Sequence, residues 1–317
     1  MKSSIENFIF TDQRTRALCK TGSAKLVRVT ERQNRQPERG CGKEKMQYNT
    51  IKVEAKGSLE YARLVTYFLD NTEEIDTKRV RPLILLCPGG GYVMTSDREA
   101  EPIAMQFLAA GFHVAILRYS VAPARYPVAL REVAWSMAWL RDHAQEYHID
   151  KDRIITMGFS AGGHLAASYG DFWKNHEFLA QELGVDAEML RPNGQILGYP
   201  VISSGPKAHR DSFTSLLGEH YDELVDAMSL ENQVNEDVPP TFLWHTETDD
   251  LVPVENSILF FNALHEHHIP VEMHIYPIGG HGISLATEET RYRDGGGIFP
   301  QCQNWIEMAI RWAKEIG

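Results

Sequence analysis

The chain has 317 residues, 43% apolar and 24% charged, with 32 Lys and Arg against 43 Asp and Glu for a net charge of −11. This balance excludes a disordered chain, a collagen-like repeat and a disulfide scaffold. The excess of acid argues against a nucleic-acid or anionic-membrane binder, because phosphate recognition needs a basic face. Four scattered cysteines, Cys19, Cys41, Cys87 and Cys302, fit neither a zinc site nor a disulfide framework, and point to a reduced, cytoplasmic enzyme.

Charge divides the chain at about residue 45. Residues 1–45 hold 11 Lys and Arg against 5 Asp and Glu, lack a sustained helix or strand period, and contain no apolar stretch long enough for a secretory signal. They are expected to be a basic extension, either disordered or the product of a misplaced start codon ahead of Met46. From there to residue 317 one α/β domain is expected. Ile51–Val53 and Tyr61–Leu69 predict an antiparallel hairpin around Lys56-Gly57-Ser58. Pro82–Cys87 is a continuous apolar run, as in a strand buried on both faces, and it stops at Pro88-Gly89-Gly90-Gly91. Ala100–Ala110 predicts a helix closed by Gly111, and Val114–Leu117 the next buried strand. In residues 128–146, Leu130, Val133, Ala134 and Met137 recur at helical spacing. Arg153–Met157 predicts a strand running into Gly158-Phe159-Ser160-Ala161-Gly162 and a helix to about Trp173, and Gln195–Leu197 a short strand. Residues 199–238 are irregular, with short helical stretches near 212–217 and 221–230, and are the candidate for a small cap. A strand at Thr241–His245, a helix at 254–267, a strand at Val271–Tyr276 and a last helix at about 302–315 complete the alternation. Strands alternating with helices predict a mostly parallel central sheet with helices on both faces. No run approaches the ~18 apolar residues of a membrane span.

Three stretches carry chemistry. Gly158-Phe159-Ser160-Ala161-Gly162 matches G-x-S-x-G between a predicted strand and a predicted helix, the setting in which a tight turn lifts a serine hydroxyl out of the sheet. A hydroxyl needs a base, and Gly279-Gly280-His281-Gly282 supplies His281 after the last strand. An acid should lie between them, and Asp249 and Asp250 both fall after the penultimate strand. The order Ser, Asp, His is that of the α/β-hydrolases. Gly90 and Gly91, with Ala161 after the serine, are the candidate donors to an oxyanion.

CPGGGY (87–92), SDREAEPIA (96–104), GFSAGGHLAAS (158–168), PPTFLWHTETDDLVPVENS (239–257) and GGHG (279–282) together resemble an α/β-hydrolase esterase of the acetyl esterase/acetylxylan esterase-like group, related to the hormone-sensitive-lipase type. The resemblance implies that the acid is Asp249, the first Asp of D-x-x-V-P, with Asp250 a neighbour. It implies a cofactor-independent serine carboxylesterase acting on short acyl esters, acetyl groups on a carbohydrate or oligosaccharide above all. The other readings are an amidase or small peptidase on the same scaffold, and a non-catalytic ligand-binding relative. Pro88 stands where the histidine of an HGGG loop would be, so that loop must be held by other residues. Tyr92, His209 and Trp244 are candidates for the substrate pocket, with core or cap packing the competing account of the aromatics. His164 reads as a packed helix residue and Cys87 as a small apolar one. His265, His267 and His268 do not form H-E-x-x-H, and Gly295-Gly296-Gly297 lacks a phosphate-loop frame, so neither a metal nor a nucleotide is expected. A homodimer through an exposed sheet edge is a further expectation.

Overall fold

The computed structural model describes residues 46–316, and the expectations for residues 1–45 lie outside the described residues. In chain order the elements are β1 (Met46–Lys52), β2 (Arg63–Leu69), β3 (Arg81–Cys87), α1 (Glu101–Ala109), β4 (His113–Arg118), α2 (Val128–Asp142), β5 (Ile149–Phe159) and α3 (Ser160–Phe172). They continue as α4 (Glu177–Leu183), β6 (Gly194–Gly198), α5 (Arg210–Leu217), α6 (Tyr221–Leu224), β7 (Thr241–Thr246), α7 (Glu255–Glu266), β8 (Val271–Tyr276) and α8 (Trp305–Glu315). The eight strands form one sheet in the order β1-β2-β4-β3-β5-β6-β7-β8. β1 pairs with β2 and β2 with β4 antiparallel, and every other pair is parallel. This is the α/β-hydrolase architecture.

Alternation within the strands builds two cores, because successive side chains leave a strand on opposite faces. Leu83, Leu85 and Cys87 of β3 join the core under α2, α3 and α7, which contribute Leu130, Val133, Leu165 and Phe260. Ile84 and Leu86 face the other way, against Ile103 and Phe107 of α1 and Trp305 and Trp312 of α8. All five of these strand residues are fully buried, and each such side chain is worth about 1.5–3 kcal/mol relative to exposure. The middle strands are therefore apolar at most positions, with a few buried polar residues such as Thr156 and Gln195 among them. β1, paired on one side only, alternates between exposed and half-buried instead.

Several boundaries differ from expectation: β2 starts at Arg63 and not Tyr61, the helix near 221–230 stops at Leu224, and the last helix starts at Trp305 and not 302. β1 starts at Met46 because Met46–Lys52 pairs with Leu69–Arg63 over its whole length. β5 starts at Ile149, which pairs with Arg81 ahead of a register shift before Leu83 and Ile154. α4 went unread, being only two turns long, and it ends at Gly184 in the left-handed conformation (φ 65°). Among the described residues no helix is long and apolar enough to cross a membrane.

Parallel pairing sends β3, β5, β6, β7 and β8 in one direction, so the loops that follow them gather along one sheet edge. At the end of α3 remote from that edge lies Asp171, which is 1% exposed and whose carboxyl oxygens meet no hydrogen-bond partner among the described residues. Burial first, and the charge of Glu231 second, push this carboxyl well above its usual range. A carboxyl raised in the folded state costs no stability below its unfolded value of ~3.9, and the fold loses stability as pH climbs from there toward the folded value. Asp171→Asn is expected to raise the melting temperature by about 2 °C or more near pH ~8, with little gain near pH ~4, as read by scanning calorimetry.

Candidate active site

β5 passes directly into α3, and the turn between them forces Ser160 to φ 53°, in the left-handed region. A non-glycine residue there costs of order 1–3 kcal/mol. The glycines on either side are required by contact. A Cβ on Gly158 would stand 2.1 Å from the Gly162 carbonyl oxygen, and one on Gly162 would stand 2.2 Å from that of Cys87. Ser160, 7% exposed, is thus held at the first turn of α3, where the unpaired N–H groups favour negative charge.

The histidine and the acid arrive from the loops after β8 and β7. Ser160 Oγ lies 2.7 Å from His281 Nε2, and His281 Nδ1 lies 2.8 Å from Asp249 Oδ2. Asp249 and not Asp250 makes the contact, and Asp250 is exposed. The other Asp249 oxygen, Oδ1, accepts the N–H groups of Leu251 (3.1 Å) and Val252 (2.9 Å). His245 Nε2 lies 3.3 Å from Asp249 Oδ2. Burial alone would push the Asp249 carboxyl up, but hydrogen bonds from His245 and His281 hold it well below the usual carboxylate range. The two loops are tied to each other: Thr246 Oγ1 and Thr248 Oγ1 both donate to the Gly279 carbonyl, at 3.0 and 2.8 Å, and the Gly279 N–H donates back to Thr248 Oγ1 at 2.9 Å.

The glycine loop after β3 lies against the serine, since a Cβ on Gly89 would stand 3.0 Å from Ser160 Cβ. Gly90 and Gly91 are both at positive φ, and their N–H groups engage no backbone or side-chain acceptor among the described residues. The anchors that replace the missing loop histidine are now identifiable. Tyr119 donates to the Pro88 carbonyl at 2.7 Å, Ser96 N–H donates to the Gly89 carbonyl at 2.8 Å, and Gly89 N–H donates to Glu99 Oε2 at 2.9 Å. Tyr92 lies 2.9 Å from His164 Nδ1, and His164 Nε2 lies 3.0 Å from the Met228 carbonyl. Burial holds the His164 imidazole down to about 4, so it stays neutral and accepts from Tyr92.

Two of the three pocket candidates pack elsewhere. Trp244 is fully buried, stacked on Trp305 at 4.6 Å and edge-on to Tyr199, so it belongs to the core and not to a substrate pocket. Tyr92 is 3% exposed and anchors the glycine loop to α3. His209 remains: it is half-buried ahead of α5, its Nδ1 lies 2.8 Å from Ser212 Oγ, and burial followed by the charge of His281 holds its imidazole below the usual histidine range. Sequence reasoning missed Glu99, Tyr199 and His245, all buried. Glu99 and His245 lie inside stretches that carry the family resemblance, which was the one signal available, and Tyr199 lies outside them. A cleft of about 290 Å³ lined by Glu54, Lys56, Arg131, Leu179 and Glu182 includes none of these residues, and Arg131 is already paired with Glu182.

Residues 69–264 match the BD-FAE family model. The chain is 39% identical over 218 residues to an endo-1,4-beta-xylanase B of Butyrivibrio fibrisolvens, covering 66% of this chain and 33% of that protein. It is 29% identical over 227 residues to an acetylxylan esterase of Xylanibacter ruminicola, covering 69% of this chain and 44% of that protein. The chain therefore spans less than half the length of these curated relatives. Among solved structures, an acetyl ester-xyloside bifunctional hydrolase from Caldicellulosiruptor lactoaceticus superposes with a TM-score of 0.69 at 36% identity, over 81% of this chain and 88% of that one. With the family model extending from the end of β2 to the last turn of α7, across the serine turn and the acid, the chain belongs to the BD-FAE family.

Proposed function

We propose that the protein is a cofactor-independent serine carboxylesterase that removes short acyl groups, acetyl above all, from carbohydrate hydroxyls. The observation that carries this reading is the Ser160–His281–Asp249 hydrogen-bond chain, at 2.7 and 2.8 Å, beside a glycine loop with unengaged N–H groups. Ser160 Oγ attacks the ester carbonyl as His281 Nε2 takes its proton, while the N–H groups of Gly90, Gly91 and Ala161 receive the oxyanion. His281 returns the proton to the departing alcohol. Water then attacks the acyl-Ser160 by the same proton path and releases the carboxylic acid. Asp249 fixes the histidine tautomer and stabilises its charged form. Residues 199–238 are taken as a small cap segment, and His209 within it is close enough to the site to feel the charge of His281. Both named relatives in which an acetyl ester or acetylxylan is the stated substrate support the acyl and carbohydrate assignment. Cys87 and Cys302, buried and unbridged, suit a reducing compartment. All three reacting side chains come from one chain, so the chemistry requires no second copy.

A fluorophosphonate probe tests the reading. Stoichiometric labelling of Ser160, located by peptide mass, is expected, and an unmodified Ser160 under conditions that label a control esterase overturns it. In a panel of p-nitrophenyl esters from acetate to octanoate, with acetylated xylo-oligosaccharides alongside, acetate and the oligosaccharides are expected to show the highest kcat/KM. A preference for octanoate would remove the acetyl assignment.

A further inference from the structure

Glu99 ends a short 3-10 turn, Asp97–Glu99, and is 3% exposed, while Tyr199, the residue after β6, is fully buried. Glu99 Oε2 accepts the Gly89 N–H at 2.9 Å, and Glu99 Oε1 accepts the Tyr199 hydroxyl at 2.7 Å. The Tyr199 oxygen in turn accepts the N–H of Ser284 at 3.0 Å, three residues beyond His281, and its ring meets the His281 ring edge-on at 5.1 Å. Beside this run, Arg98 donates to the Gly282 carbonyl at 2.6 Å and Ser284 Oγ donates to the Arg98 carbonyl at 2.5 Å. Two loops that never adjoin in sequence, one bearing the candidate oxyanion donors and one the base, thus share a single buried carboxylate–phenol link.

We infer that Glu99 and Tyr199 are positioning residues, a strap that fixes the Gly90 and Gly91 N–H groups relative to His281. The inference rests on the esterase reading and goes beyond it by saying what sets the geometry. A buried carboxylate is an expensive way to hold a loop, because its desolvation must be offset by good hydrogen bonds. An apolar side chain would fill the same volume but would not orient Gly89. Orientation matters most in the transition state, where a donor displaced by a fraction of an ångström loses much of its hold on the developing charge. Burial, and then Glu99, push the Tyr199 phenol well above its usual value, so it stays protonated and serves as donor throughout the working range.

Tyr199→Phe removes both bonds made by the hydroxyl. Glu99→Gln leaves one terminal oxygen in place of two, so the Gly89 N–H and the Tyr199 hydroxyl no longer each meet an acceptor of their own. With p-nitrophenyl acetate, and rates expressed per fluorophosphonate-labelled site so that unfolded protein is not counted, each variant is expected to lose about 10- to 100-fold in kcat with KM within about threefold. The double variant should be no worse than the poorer single one, because both break one strap. Affinity for a boronic acid that becomes tetrahedral on Ser160 should fall by the same factor as kcat/KM. A purely structural role would lower the melting temperature and the labelled fraction while sparing kcat per labelled site, and that result overturns the inference. So does a rise in KM at constant kcat, or losses that simply multiply in the double variant. Failure of the esterase reading looks different: the unmutated protein would neither label at Ser160 nor hydrolyse the ester.

Discussion

Ser160→Ala is expected to lower kcat/KM for p-nitrophenyl acetate by about 10⁴-fold or more and to leave the melting temperature within about 2 °C of the parent. Among the described residues the hydroxyl has one partner, His281 Nε2, and His281 keeps its bond to Asp249 when Ser160 Oγ is removed. Nothing in the cores depends on Oγ, so the fold has little reason to respond. Activity does, because the remaining groups can polarise the carbonyl and accept a proton but have no nucleophile to deprotonate. Ser160→Gly is the informative companion. It removes the same hydroxyl and suits a φ of 53°, where serine is strained. It should lose activity equally and melt higher than Ser160→Ala. Turnover within tenfold of the parent in both variants would falsify the assignment of the nucleophile.

The parts of this site that were legible in the sequence are those with local causes. Gly158 and Gly162 flank Ser160 because a Cβ at either would strike backbone, and such a requirement leaves a short fixed pattern. The buried strands were visible because residues such as Leu83–Leu86 are apolar at every position. Glu99, Tyr199 and His245 were not legible, because their roles exist only across loops. In sequence, Glu99 is one more carboxylate at the start of a helix, where acids are common. Only pairing β3, β5 and β6 side by side puts it against Gly89 and Tyr199. For Trp244 the sequence left a pocket and the core open, and the alternation of β7 turns it into the core against Trp305. α4 was missed for a third reason, since two turns carry too few residues for a period to stand out.

Replacing the two neighbouring acids separately should give unequal results. Asp249→Asn is expected to reduce kcat by about 10⁴-fold, and Asp250→Asn to change it by less than about twofold. The cause lies in the backbone around the acid. Leu251 N–H and Val252 N–H both point at Oδ1, so an amide at position 249 must place its oxygen there and its NH2 group toward His281. A donor facing Nδ1 stabilises the histidine tautomer with its proton on Nε2. That tautomer cannot accept from Ser160, and the hydroxyl is left without a base even though every heavy atom stays in place. Asp250, exposed, imposes no such choice. Stability should follow the same residue. Asp249 is held below its unfolded value of ~3.9, so its contribution is full above that pH and disappears as pH falls toward the folded value. Chemical denaturation across the acid range is therefore expected to show a shallower loss for Asp249→Asn than for the parent or Asp250→Asn. Equal losses of turnover in the two variants would overturn the assignment of Asp249 as the acid.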